Sequence, residues 1–177
     1  VFSDELNHAS LIDGARLSRA EKIIWPHRNL TALDRSLDEK TRAQSRERED
    51  REGDGFNFVV TESLFSMDGD FAPLAEIAEI VRRGDALLVV DEAHAVGLFG
   101  EHGRGLLERD GVEGEVLATV STCGKALGVG GAFVTGPREV VDALVNFSRS
   151  FIYTTAPAPV LAAGIDAALD IVESEPE

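Results

Sequence analysis

The sequence predicts an α/β protein with a three-layer, doubly wound and mostly parallel β-sheet. Short apolar runs alternate with helix-like segments at intervals of about 25 to 30 residues, a rhythm typical of βαβ units. Residues 86–90 read Ala-Leu-Leu-Val-Val, an unbroken apolar run that predicts a central parallel strand buried on both faces. Neither an internal repeat nor a second domain is visible, so the 177 residues are predicted to form one domain.

The individual elements follow from periodicity and from turn residues. Strands are predicted in short apolar runs, at residues 1–3, 22–25, 56–61, 86–90, 116–120 and 130–136, with 151–155 extended. Helices are predicted where apolar residues recur every three or four positions, at residues 11–17, 30–37, 73–83, near 106, 137–145 and 157–172. Asn7 or Ser10 is expected to cap the first helix. The run at 130–136 follows its predecessor after a short connection, which favours an antiparallel strand.

Composition excludes several classes of function. A net charge of −15 argues against a nucleic-acid partner, because phosphate binding requires a basic surface. The sequence has no apolar run of membrane-spanning length and no basic leader, so neither a membrane span nor a signal peptide is predicted and a cytoplasmic location is expected. Cys123 is the single cysteine, which excludes an internal disulfide and agrees with a reducing compartment. No metal site is predicted.

The charged residues are unevenly distributed by type and by position. Three lysines stand against fourteen arginines and 32 acidic residues. This balance fits either adaptation to high salt or the arginine preference of a GC-rich genome, and composition does not decide between them. The most charged stretch, residues 38–55, predicts a solvated helix end followed by a loop.

Two predicted strands end in residues suited to chemistry. Asp91 and His94 follow the central strand, and ligands of open α/β sheets bind just beyond the carboxyl ends of the strands. Lys125 lies in a turn of small residues after the run 116–120, so it should reach the same edge of the sheet. A lysine, an acid and nearby hydrogen-bond donors are what pyridoxal 5'-phosphate (PLP) requires.

A second enzyme class also fits the strand end. Val-Val-Asp-Glu-Ala-His is typical of the magnesium-binding strand of a nucleic-acid-dependent ATPase of the helicase type. That class also needs a glycine-rich phosphate loop ending in Gly-Lys-Ser or Gly-Lys-Thr. The only Gly-Lys pair ends at Lys125, is followed by Ala126, and has Thr119 where the first glycine should stand. The ATPase interpretation is therefore the weaker alternative.

Five motifs in order carry a resemblance over essentially the whole chain. The chain resembles the α-oxoamine synthases, which are fold-type I PLP enzymes, in residues 7–10, 61–70, 91–94, 122–128 and 151–155. The resemblance implies a homodimer with shared active sites. It also implies that residues 1–177 are the core of the large PLP-binding domain, without the family's N-terminal segment and C-terminal small domain. The polypeptide alone is then expected to be inactive.

The resemblance assigns the central chemistry to four residues. Lys125 would hold the cofactor covalently, which requires partial burial to lower the pKa of its amine. Asp91 would pair with the protonated pyridine nitrogen, and His94 would donate to the ring oxygen. His8 would lie against the face of the ring, and His8 and Lys125 are the residues predicted to be catalytic.

Further residues receive supporting roles from the resemblance. Thr122 would bind the cofactor phosphate, Ser66 would approach the ring oxygen, and Thr155 would reach the phosphate in the partner subunit. Glu92 and the pair Cys123-Gly124 differ from the residues usual in the family, and both changes are expected to be tolerated. His27 and His102 are expected to be solvated residues without a role.

The implied reaction is a decarboxylating condensation of an amino acid with an acyl thioester. Two members of the family are compatible with the motifs. One joins L-alanine to a pimeloyl thioester, on CoA or on acyl carrier protein, in biotin biosynthesis, and the segment Tyr-Thr-Thr favours it. The other joins glycine to acetyl-CoA. A non-catalytic subunit of a heteromeric synthase remains a third interpretation.

Overall fold

The computed structural model describes residues 1–47 and 55–174. Within these residues six strands form a single sheet, namely β1 (Phe2–Asp4), β2 (Ile23–Trp25), β3 (Asn57–Glu62), β4 (Ala86–Asp91), β5 (Ala118–Thr122) and β6 (Ala132–Thr135). The helices are α1 (Ala9–Leu17), α2 (Leu30–Glu47), α3 (Leu74–Arg83), α4 (Leu106–Asp110), α5 (Arg138–Phe147), α6 (Arg149–Ile152) and α7 (Pro159–Ser174). A short 3-10 helix lies at Glu113–Glu115.

The strand order confirms the predicted α/β sheet. Strands lie in the order β2-β1-β3-β4-β5-β6, and β4 has parallel neighbours on both sides. All pairs are parallel except β5 with β6, which is antiparallel as the short connection predicted. Because the parallel strands all point the same way, their carboxyl ends form one edge.

The hydrophobic core lies on one face of this sheet. Leu88 and Val90 of β4 are fully buried there, and the apolar stripe of α3 packs against them, including Leu74 and Ile77. Burial of each such side chain contributes about 1.5 to 3 kcal/mol. On the opposite face Leu87 and Val89 alternate with these residues and are only half-buried. Both faces of β4 were predicted to be buried. Among the described residues, only one face is fully covered.

Helix α2 is longer than its apolar residues predicted. The helix predicted at residues 30–37 is too short, because α2 continues to Glu47 through the charged stretch in which a solvated helix end was predicted. Ion pairs of the i, i+4 type, Arg35 with Glu39 and Arg42 with Asp38, extend it on the exposed side. The Thr41 hydroxyl also donates to the Gly84 carbonyl. The loop predicted after this helix falls mainly on residues 48–54, which lie outside the described residues.

Two local predictions are corrected. Residues 149–152 form the helical turn α6 rather than part of an extended segment, and the Thr154 hydroxyl donates to the Ser150 carbonyl at 2.6 Å. The first helix is capped by His8, whose side chain accepts the main-chain N–H of Ser10, and not by Asn7 or Ser10. Among the described residues, no helix is both long and apolar enough to cross a membrane.

Candidate active site

Several of the predicted cofactor residues lie at the carboxyl edge of the sheet. Asp91 and Thr122 are the last residues of the adjacent strands β4 and β5. Glu62 ends β3 and stands directly beside Asp91 in the parallel register. The alternation of side chains along these strands places Glu62, Asp91 and Thr122 on the same face of the sheet.

Asp91 is buried and held in a fixed orientation. One oxygen, Oδ1, accepts the main-chain N–H of Ala93 at 2.8 Å. This bond closes a turn directly after β4 and brings His94 back towards the strand end. Because the bond uses one oxygen, the other oxygen of Asp91 is available for a cationic donor such as a protonated pyridine nitrogen.

His94 lies close enough to Lys125 and Asp91 for both of their charges to act on its pKa. Burial lowers the pKa of His94, and the positive charge of Lys125 lowers it further. The carboxylate of Asp91 acts in the opposite direction on the same pKa. A lowered pKa leaves His94 neutral at pH 7, with one N–H to donate and no charge to repel a cation.

Lys125 and Thr122 belong to the segment that leaves β5. Lys125 lies in a turn closed by the main-chain N–H of Gly128, which donates to the Lys125 carbonyl at 3.0 Å. Its side chain is exposed, so the expectation of a partly buried amine is not met in this structure. Thr122 is half-buried, and its hydroxyl lies 3.5 Å from the carbonyl of Ala93.

His8 enters the site from the end of β1. Its Nδ1 accepts the main-chain N–H of Ser10 at 3.3 Å and lies 2.8 Å from the Ser10 hydroxyl. Since Nδ1 accepts an N–H, the neutral ring carries its proton on Nε2. The ring itself is exposed, whereas the main-chain N–H of His8 donates to a carboxylate oxygen of Glu62.

Glu62 is a site residue that sequence reasoning missed. It is buried, with 4% of its surface exposed, and it lies within the same cluster as His8, Asp91 and Lys125. Burial raises the pKa of Glu62, and the neighbouring charge of Asp91 raises it further, against the opposing hydrogen bond from His8. The available signal was an acid at the end of a predicted strand, the same feature that singled out Asp91.

Two predicted cofactor residues make no hydrogen bond to this cluster among the residues that the structure describes. Ser66 is exposed in the turn that follows β3, and Thr155 is exposed in the segment between α6 and α7. No hydrogen bond in the described ranges 1–47 and 55–174 joins either side chain to the cluster. Their roles stay predictions.

His27 is not a solvated residue, contrary to expectation. Its side chain is 14% exposed and lies between two carboxylates, with Nδ1 2.9 Å from Asp4 and Nε2 2.9 Å from Asp70. The ring also packs edge-on against Phe65. His102 is closer to the expectation, because its side chain is exposed, although Nδ1 lies 2.6 Å from Glu108.

Glu92 has a structural role behind the site. It is completely buried, and it accepts the Ser63 hydroxyl at 2.6 Å and the main-chain N–H groups of Leu106 and Leu107 at 3.2 and 2.7 Å. These bonds join the ends of β3 and β4 to the start of α4. Glu92 therefore supports the loops around Asp91 without facing the site.

Together these residues have the chemistry that PLP requires. Lys125 supplies an accessible primary amine, Asp91 a buried carboxylate with a free oxygen, and His94 a neutral N–H donor at the same edge. Thr122 adds a hydroxyl beside them. The residues present thus fit the predicted cofactor. The described residues include no cluster of His, Cys, Asp and Glu that could hold a metal ion.

Comparisons with known proteins identify the family of this chain. The family model of aminotransferase class I and II matches residues 1–177. The 8-amino-7-oxononanoate synthase of Ralstonia pickettii (strain 12J) is 46% identical over 175 residues, which is 99% of this chain and 39% of that protein. The synthase of the same name from Bordetella petrii is 47% identical over 173 residues, 98% of this chain and 41% of that protein.

Solved structures show the same architecture. A serine palmitoyltransferase from S. paucimobilis, solved with a bound PLP-myriocin aldimine, has a TM-score of 0.85 and 29% identity, covering 98% of this chain and 42% of that chain. The 8-amino-7-oxononanoate synthase of Francisella tularensis has a TM-score of 0.74 and 31% identity, covering 97% of this chain and 46% of that chain. The chain therefore spans about 40% of the length of the curated relatives it matches.

Proposed function

Since the chain belongs to the aminotransferase class I and II family, we propose that it is part of a PLP-dependent acyltransferase of the α-oxoamine synthase group. The proposed reaction joins L-alanine to a pimeloyl thioester, on CoA or on acyl carrier protein. It releases the free thiol and carbon dioxide and gives 8-amino-7-oxononanoate. The curated relatives of that name support this assignment, and the match of the whole chain to an aminotransferase model leaves the ATPase interpretation without support.

Lys125 and Asp91 have the principal roles in the proposal. When bound, PLP supplies an electron sink for the carbanion at the amino-acid α-carbon. Lys125 would hold the cofactor covalently, and its amine would accept the proton removed from the α-carbon of the amino acid. Asp91 would keep a proton on the pyridine nitrogen, and its burial would strengthen that ion pair.

The two histidines and Thr122 orient the cofactor. Neutral His94 would donate an N–H to the ring oxygen, and the exposed imidazole of His8 would cover the face of the ring. The hydroxyl of Thr122 binds the phosphate. Such residues exclude water and fix the orientation of the reacting groups, because the cofactor itself supplies the chemistry.

The remaining expectations extend the proposal to the assembly. We propose that residues 1–177 form the core of the large PLP-binding domain of a cytoplasmic homodimer with shared active sites. In that assembly Ser66 approaches the ring oxygen, and Thr155 reaches the phosphate bound by the partner subunit. Names of the relatives support a biosynthetic enzyme acting on an amino acid and an acyl thioester.

Asp91 and His94 follow β4, and Lys125 follows its parallel neighbour β5, so all three lie at the same edge of the sheet; this placement is the observation that carries the function. Its test is titration of the full natural chain with PLP, followed by visible absorbance and by mass after borohydride reduction. We expect wild type to gain a visible band and one covalently attached cofactor at residue 125, and Lys125→Ala to lose both. The matched control is Lys22→Ala, an exposed lysine outside the site, which should behave as wild type.

An assay of substrates decides between the alternatives. Carbon dioxide release is measured with alanine or glycine, each with pimeloyl-CoA or acetyl-CoA. Preference for alanine with the pimeloyl donor supports the proposal. Preference for glycine with acetyl-CoA selects the other family member, and cofactor binding without turnover on any pair supports a non-catalytic subunit.

A further inference from the structure

The geometry points to Glu62 as a positioning residue that fixes His8 over the cofactor ring. This inference deepens the proposed function and rests on it. Neither the motif assignments nor the comparisons give Glu62 a role. The following contacts connect it to His8, to Asp91 and to the fixed end of β1.

Glu62 joins the buried sheet to the segment that carries His8. Its position in the sheet is fixed, because it ends β3 beside Asp91 of β4. From this buried position its Oε1 accepts the main-chain N–H of His8, 54 residues earlier in the chain. A hydrogen bond to a charged acceptor is shorter and stronger than one between neutral groups, so this contact holds the backbone of His8 firmly.

Asn7 adds a second attachment of the same segment to the same strand. Its Oδ1 accepts the main-chain N–H of Glu62 at 3.1 Å, and its Nδ2 donates to the Val60 carbonyl at 2.8 Å. The two segments are thus joined in both directions. The side chain of Glu62 accepts the main-chain N–H of His8, and the side chain of Asn7 accepts the main-chain N–H of Glu62. The entry of His8 into the site is defined by β3 rather than by α1 alone.

The imidazole of His8 depends on this attachment because little else holds it. The ring is exposed, and its hydrogen bonds in the described residues are those with Ser10 in the first turn of α1. A ring fixed only to its own helix moves with that helix. The bond from the His8 main chain to Glu62, together with the two bonds of Asn7 to β3, therefore sets the position of the ring relative to Asp91.

The acceptor and the charge of Glu62 can be separated by substitution. Glutamine keeps a carbonyl oxygen at the position of Oε1 but removes the charge, whereas alanine removes both. Removing the acceptor leaves the His8 N–H without its partner, a loss on the order of tenfold in an equilibrium constant. We therefore expect Glu62→Ala to weaken PLP binding about tenfold, and Glu62→Gln to restore most of the affinity.

A double-mutant cycle tests whether Glu62 acts through His8. The dissociation constant of PLP and the visible circular dichroism of the bound cofactor are measured for wild type, Glu62→Ala, His8→Ala and the double variant in the full natural chain. If Glu62 acts by positioning His8, its substitution should have little effect once His8 is alanine, because coupled residues are non-additive. Glu101→Ala, at an exposed acid outside the site, is the matched control.

The outcomes separate this inference from the proposed function. If wild type does not bind PLP covalently, the proposed function fails. If wild type binds PLP but Glu62→Ala lowers the affinity equally with and without the His8 ring, the positioning role is wrong and Glu62 is only structural. If Glu62→Ala does not fold, Glu62→Gln is measured in the wild-type and His8→Ala backgrounds instead. The dichroism of bound PLP is expected to stay as in wild type for Glu62→Gln and to change for His8→Ala. A change in Glu62→Gln that is equal in both backgrounds would contradict the positioning role.

Discussion

The contact of His27 with two carboxylates allows a quantitative prediction about stability. His27 joins Asp4, at the end of β1, to Asp70, in the loop after β3. It thereby ties together the two segments that carry His8 and Ser66. The change to test is His27→Ala, which removes both bonds at once and leaves the carboxylates in place.

The expected loss follows from the exposure of each partner. Asp4 is 3% exposed, so its bond to the imidazole has the full value of a charge-assisted hydrogen bond, about 2 kcal/mol. Asp70 is 28% exposed and also contacts Arg28 at 3.2 Å, so its bond to His27 is worth about 1 kcal/mol after screening. The free energy of unfolding should fall by about 3 kcal/mol, and the melting temperature by roughly 6 to 12 °C for a chain of this size.

The same contact makes stability depend on pH in a known direction. Burial lowers the pKa of His27, but the hydrogen bonds to Asp70 and Asp4 outweigh it, and the pKa is raised above its ordinary 6.5. A raised pKa means that the folded state binds the proton more tightly than the unfolded state. The stabilisation is therefore complete below pH 6.5 and is lost as pH rises through the folded pKa.

Urea unfolding followed by far-UV circular dichroism, between pH 5 and 9, measures both effects. The control is His102→Ala, because His102 is 56% exposed and pairs with one carboxylate, so its loss should stay below about 1 kcal/mol. A loss of less than about 1 kcal/mol at pH 6 for His27→Ala, or a difference from wild type that does not shrink at higher pH, would contradict the stabilising role of His27.

Three further predictions concern buried carboxylates and the turn against one of them. Glu92→Ala should lower the free energy of unfolding by about 3 to 5 kcal/mol, measured by urea unfolding, because it leaves three donors without their acceptor. Gly105→Ala should destabilise by about 2 kcal/mol or more in the same assay, since φ is +113° and a Cβ would lie 2.8 Å from the Glu92 carboxylate. Burial raises the pKa of Glu62 above 4.5, so the folded state binds this proton more tightly than the unfolded state. The free energy of unfolding of wild type should therefore fall relative to that of Glu62→Gln as pH rises from 4.5 through the folded pKa. A difference between the two that does not depend on pH would contradict this.

The central strand and its chemistry were predictable because they depend on local pattern. The apolar run of residues 86–90 identified a strand between two parallel neighbours, and its position fixed the edge at which Asp91 and His94 lie. Lys125 follows the next strand by a short turn, so its place at the same edge followed from topology. Patterns of this kind use residues close together in sequence and need no knowledge of long-range packing.

What the sequence did not reveal depends on long-range partners. His27 was expected to be solvated because its two carboxylates lie 23 and 43 residues away. The role of Glu62 required the register of β3 against β4 and the path of residues 7 and 8. Residues 149–152 have aromatic and β-branched neighbours that favour an extended chain, yet they form a helical turn, in which Arg149 stacks on Tyr153.

The buried acids share one structural function, which the amino-acid composition does not show. Oxygens of Asp4, Glu62, Asp91 and Glu92 each accept a main-chain N–H from a segment that follows or approaches a strand end. A carboxylate can accept such an N–H where no main-chain carbonyl is near enough, because the side chain carries the acceptor away from the main chain and can rotate. The loops of the site are thus held by acids at strand ends, whereas the ion pairs of arginine lie mostly on the exposed surface. Acidity in this chain therefore has two separate origins, and only the surface part bears on the choice between high salt and genome composition.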